Sequence, residues 1–165
     1  MTSKRYIGID PGSKGCIAII DEGDYVQFHD LDSAVSTYTY LSWVLYEDSM
    51  KHETYTAVEN VCGRPGQSCQ ANTTFMKLAG YAELLGNIIC NSGYMKVPPQ
   101  TWKKHFGLIF DKSVSKTERK HASVELARKL YPAVADQLLL SKDGRAEALL
   151  IARYIKDVQH SSELQ

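Results

Sequence analysis

Three short apolar runs punctuated by polar turns fill the first thirty residues, and this pattern restricts the possible folds more than any other feature of the chain. Tyr6-Ile7-Gly8-Ile9-Asp10 is broken by Pro11-Gly12-Ser13-Lys14-Gly15 and resumed by Cys16-Ile17-Ala18-Ile19-Ile20. Apolar runs of this length on either side of a Gly/Pro turn read as a β-hairpin. After the polar turn Asp21-Glu22-Gly23-Asp24, Tyr25-Val26-Gln27-Phe28-His29 alternates like a third strand with one wet face.

Downstream the period changes. Residues 33–51 place Val35, Tyr38, Leu41, Trp43, Val44 and Leu45 at loose helical spacing, and 54–60 reads as a buried strand followed by a polar loop over 61–70. Residues 72–90 return to helical spacing through Phe75, Leu78, Ala82, Leu85 and Ile89. A short strand over 94–97 precedes Pro98-Pro99, and 100–106, 116–130 and 143–158 read as helices. The order βββ-α-β-α-β-α-α-α predicts an α/β fold, with a mixed five-stranded sheet flanked by helices on both faces. At 165 residues the chain fits one domain, expected over 1–158, with a polar, frayed tail over 159–165.

Composition excludes disorder: 44% of residues are hydrophobic and 23% charged. The zero formal charge is a cancellation. Residues 1–99 hold seven Lys/Arg against eleven Asp/Glu, and 100–165 hold twelve against eight. Within 96–129, nine basic residues face three acids. Such segregation permits an anion-binding face on a neutral protein, although solvated helix faces would look the same. No apolar run approaches membrane-spanning length and no signal peptide is visible, so a cytoplasmic protein without membrane contact is expected. Cys16, Cys62, Cys69 and Cys90 lack paired zinc-type spacing and are expected to be reduced, two of them buried.

Four acids, at two strand ends and on one helix face, stand where an acid is awkward for folding alone. Asp10 and Glu59 each end an apolar strand, where a carboxylate suffers desolvation unless it reaches water or a partner. Asp143 and Glu147 lie four apart and so share one helix face, with Arg145 directed elsewhere. Each position also has an ordinary structural explanation: a turn aspartate before Pro-Gly, a strand end in water, an acidic helix start. Brought together, the four would form an oxygen-rich cage suited to Mg²⁺ or Mn²⁺.

Ile7-Gly8-Ile9-Asp10-Pro11-Gly12-Ser13-Lys14-Gly15, Val58-Glu59-Asn60-Val61 and Asp143-Gly144-Arg145-Ala146-Glu147-Ala148-Leu149-Leu150-Ile151-Ala152 closely resemble, in order and spacing, the three active-site motifs of RuvC-type Holliday-junction resolvases. Phe75-Met76-Lys77-Leu78-Ala79-Gly80 and Val97-Pro98-Pro99 with Trp102-Lys103 are similar to intervening segments of that family. The last motif departs from the pattern: Gly144 stands where many members carry an acid or histidine, and Asp143 sits one residue earlier.

The resemblance implies an RNase H-like fold, a homodimer, and symmetrical Mg²⁺-dependent cleavage of a four-way DNA junction, with Mn²⁺ able to substitute. It implies that Asp10, Glu59, Asp143 and Glu147 are the catalytic and metal-holding residues and that products end in 5′-phosphate and 3′-hydroxyl. Lys103, Lys104, Lys116, Arg119 and Lys120 are candidates for phosphate contacts, and Arg64 and Gln67 for probing the junction centre. Tyr81 and Trp102 are candidates for base stacking, although aromatic residues at helical spacing more often fill a core. His105 and His121 lack an identifiable catalytic partner. Other classes stay open: a nuclease for other branched DNA or RNA, a junction-binding module without chemistry, or an ATP-dependent phosphotransferase. Against the last, the chain is short and has no G-x-x-x-x-G-K-[ST] loop, so no nucleotide cofactor is expected.

Overall fold

A computed structural model describes residues 3–12, 14–32, 34–63 and 65–163, with only the backbone at Glu163. Strands β1 (Lys4–Asp10), β2 (Cys16–Asp21) and β3 (Val26–Asp30) form an antiparallel meander, as the alternation of apolar runs and turns predicts. Strand β4 (Glu53–Glu59) lies parallel to β1, and β5 (Gly93–Val97) lies parallel to β4, giving the order β3-β2-β1-β4-β5. Parallel neighbours need crossovers, supplied by helices α1 (Val35–Ser49) and α2 (Cys69–Ile89). Helices α3 (Pro99–His105), α4 (Lys116–Leu130) and α5 (Asp143–Glu163) complete the chain.

Strand alternation divides the core into two layers. Ile7, Ile9, Ile17, Ile19 and Val58 face α1 and α2, where Leu41, Leu45, Leu78, Leu85 and Ile89 meet them. Tyr6, Ala18, Ile20 and Ala57 face the opposite way, onto Trp102, Val124, Ala127 and the buried stripe of α5. Each fully buried Ile or Leu of these layers stabilises the fold by about 1.5–3 kcal/mol.

Helix α5 approaches β1 unusually closely. A Cβ at Gly8 would lie 2.2 Å from the Ala148 carbonyl oxygen and 2.3 Å from the Ala152 nitrogen. Small residues at Gly144, Ala148 and Ala152, one helical turn apart, therefore let the α5 backbone lie against the central strand. This seats the first turns of α5 at the end of β1.

Some sequence expectations change in detail. Helix α2 begins at Cys69, inside the segment expected to be loop, because the Ser68 side chain accepts from Ala71 N–H and caps it. The stretch over 159–163 continues α5 rather than fraying from it. Two 3₁₀ turns, Pro132–Gln137 and Leu140–Lys142, fill the connection between α4 and α5. The four cysteines are free thiols; Cys16 is buried, Cys90 half-buried, and Cys62 and Cys69 exposed. Among the described residues, no helix is long and apolar enough to cross a membrane.

Candidate functional site

Asp10 and Glu59 arrive on neighbouring strands. The parallel register pairs Ile9 with Val58, so the next residues, Asp10 and Glu59, leave the sheet side by side. Both share the alternation phase of Ala57 and Gly8 and therefore face α5. Asp143 and Glu147 occupy the first two turns of α5, and all four acids line one cleft of about 1060 Å³.

Glycine at 144 is required by space. A Cβ there would lie 2.1 Å from the Lys14 carbonyl oxygen and 3.1 Å from Asp10 Oδ2. Backbone packing thus leaves no room for a side chain at 144, while Asp143 and Glu147 on either side of it reach the cleft. Arg145 points away, as its helical phase requires: its Nε donates to Asp30 Oδ1 at 2.7 Å and its Nη2 to Asp30 Oδ2 at 2.8 Å. Lys142 Nζ adds a bond to Asp30 Oδ2 at 2.9 Å. Hydrogen bonding from Arg145, reinforced by Lys142, lowers the Asp30 carboxyl to about 2 and ties the start of α5 to the end of β3.

The acids repel one another through low-dielectric surroundings. Burial, followed by the charges of Glu147, Glu59 and Asp143, holds the Asp10 carboxyl well above the ordinary aspartate range; Lys103 partly offsets this. Glu59 is buried, and Trp102 Nε1–H donates to its Oε1 at 3.0 Å. Lys103 Nζ donates to Glu147 Oε1 at 3.5 Å, and Lys120 pairs with Asp143. Among the described residues, no group of three or more His, Cys, Asp or Glu is already gathered in a metal-holding arrangement. The donor set nevertheless fits a hard divalent cation: carboxylate oxygens only, mutually repelling, with two ammonium groups already compensating the negative charge.

The cleft's rim is cationic. Lys103 and Lys104 come from α3; Lys116, Arg119 and Lys120 come from the first turns of α4, capped by the reciprocal bonds of Ser115 and Glu118. Lys104 and Lys116 make no ion pair among the described residues. Arg119 is turned partly to structure, donating from Nε to the Val114 carbonyl at 3.0 Å and from Nη2 to the Asp111 carbonyl at 3.1 Å.

The other expected site residues among those described do not line the cleft. Gln67 is exposed in the β4–α2 loop and is not in the cleft lining; Arg64 falls outside the described residues. Trp102 is fully buried, which excludes base stacking, and Tyr81 packs against Tyr38 with ring centroids 5.4 Å apart. His105 Nε2 lies 2.9 Å from Asp157 Oδ2, while His121 stands exposed on α4. Sequence reading missed the pairing of Trp102 with Glu59, of Lys103 with Glu147 and of Lys120 with Asp143. The available signal was an indole and a lysine on a proline-started helix and a lysine on a serine-capped one, which gives no partner.

No protein-family model matches the chain, and no curated protein matches it.

Proposed function

We propose that the chain is an RNase H-like, RuvC-type endonuclease that resolves four-way DNA junctions by metal-dependent hydrolysis of phosphodiester bonds. One observation carries this reading: four acids separated by up to 137 positions in the sequence line the same cleft, beneath a cationic rim. Such a cleft suits a polyanion that must be cut beside concentrated negative charge.

Asp10, Glu59 and Glu147, with Asp143 beside them, would hold Mg²⁺ or Mn²⁺. When bound, the divalent cations would supply Lewis-acid polarisation of the phosphodiester, acidification of the attacking water and stabilisation of the leaving 3′-oxygen. Trp102 orients Glu59 through its indole N–H. With Glu147 and Asp143 holding a divalent cation, Lys103 and Lys120, which now pair with them, would be free to hold phosphate oxygens. Lys104 and Lys116 position the flanking backbone electrostatically.

A four-way junction has near-twofold symmetry, and a homodimer would place one cleft on each of two opposed strands. Apolar side chains exposed on and beside the outer helices support self-association: Tyr40 and Trp43 on α1, Met50 just after its end, Leu84 and Ile88 on α2.

The engagement of Glu147 and Asp143 by lysines favours a second reading, a junction-binding module without chemistry. Incubating the chain with a synthetic four-way junction and a matched linear duplex, in Mg²⁺ or EDTA, separates the two. Symmetrical, Mg²⁺-dependent nicking of the junction is expected; tight junction binding without nicking supports the module, and indifference to both DNAs refutes both readings.

A further inference from the structure

Three successive apolar residues, Leu108, Ile109 and Phe110, contribute one stretch of the cleft wall. Helix α3 ends in a Schellman arrangement: Leu108 N–H donates to the Lys103 carbonyl at 2.8 Å and Gly107 N–H to the Lys104 carbonyl at 3.1 Å, with Gly107 at φ +68°. Glycine adopts that left-handed conformation without the steric cost other residues meet. The turn sends Leu108 into the cluster that contains Trp102, and Phe110 packs against the same cluster two residues later. Ile109, between these inward anchors, is 56% exposed and lines the cleft. Beyond it, the two Arg119 bonds to the Asp111 and Val114 carbonyls tie the connection back to α4.

A lone exposed isoleucine is common on protein surfaces. One braced on both sides within a cationic cleft suits a ligand that offers phosphates and an apolar face together, which is the chemistry of a nucleic acid with an accessible base. In continuous duplex the base faces are covered by stacking; they become available where stacking is broken.

We propose that Ile109 is a specificity-determining residue whose side chain packs on a nucleobase unstacked at a branch point, so that the cleft prefers branched to continuous DNA. This rests on the nuclease reading above and narrows its substrate.

The full chain and its Ile109→Ala and Ile109→Leu variants are compared on a four-way junction and a matched linear duplex. Cutting is followed in Mg²⁺ and binding in Ca²⁺, with 2-aminopurine at the branch reporting base stacking. Ile109→Ala is expected to lower the junction-over-duplex preference about fivefold, the order expected for losing part of an apolar side-chain contact. The loss should appear in KM rather than kcat, with a diminished 2-aminopurine response, and Ile109→Leu should restore both. An alanine variant that keeps the preference and the fluorescence change, while the wild type cuts junctions, overturns the inference and leaves the nuclease reading intact. The binding measurement tests Ile109 even if no strand is cut. A wild type that neither binds nor cuts either DNA removes the nuclease reading and this inference together.

Discussion

Trp102 Nε1–H donates to Glu59 Oε1 at 3.0 Å, and both residues are buried, so an indole from α3 fixes the direction of an acid at the end of β4. The bond makes one side chain serve both core and cleft. Trp102→Phe retains much of the packing but removes the donor. The expected destabilisation is about 2 kcal/mol, the scale of a buried polar group losing a hydrogen bond, read by urea denaturation. Junction cutting should fall more than tenfold while junction affinity in Ca²⁺ is preserved.

Asp10 gives the pH dependence its sign. Its carboxyl is raised by burial and by Glu147, Glu59 and Asp143, so the folded chain binds the proton more tightly than the unfolded chain. Stability from this source is fully present below the ordinary aspartate range and is lost as pH rises through the raised value. In EDTA, wild-type thermal stability should therefore decline toward neutral pH more steeply than that of Asp10→Asn, and the variant should be the more stable of the two at pH 7. Added Mg²⁺ should stabilise the wild type far more than the variant.

Gly144→Ala tests the close approach of α5 to the β1–β2 turn. Alanine is the better helix former by about 1 kcal/mol, yet its Cβ would meet the Lys14 carbonyl at 2.1 Å. Overpacking of this kind costs about 1–3 kcal/mol, so net destabilisation is expected in chemical denaturation. Cutting should fall as well, because Asp143 and Glu147 ride on the displaced turn.

Much of this arrangement was legible in the residues. Ile7 and Ile9 alternate with Tyr6 and Gly8, which is what a strand buried on both faces requires, and Asp10 and Glu59 are conspicuous because they end apolar interior strands. The four-residue interval from Asp143 to Glu147 gave their common face. Other features depend on tertiary approach, which periodicity does not encode. Trp102 and Glu59 are 43 positions apart, and Lys103 and Glu147 are 44 apart. The 3₁₀ turns around Pro132 are too short to show a period, and the polar residues extending α5 to Glu163 resemble a tail by composition alone. The space that demands Gly144 is created by the Lys14 carbonyl, 130 positions earlier.

Salt dependence separates Lys103, seated on Glu147, from Lys104 and Lys116, which make no ion pair among the described residues. Lys104→Ala and Lys116→Ala should each flatten the log K against log salt slope by about 1, as loss of one phosphate contact does. Lys103→Ala should leave the slope almost unchanged in EDTA, where Glu147 already neutralises its ammonium, and flatten it in Ca²⁺. Junction-binding titrations at several salt concentrations measure both effects.

The cation-holding role of the acids is tested most directly by anomalous scattering from crystals soaked in Mn²⁺. Manganese peaks are predicted among Asp10, Glu59 and Glu147, with Asp143 alongside and with Lys103 and Lys120 withdrawn from their carboxylates. A map with no manganese among these acids, and both lysines still seated on Glu147 and Asp143, would contradict the account.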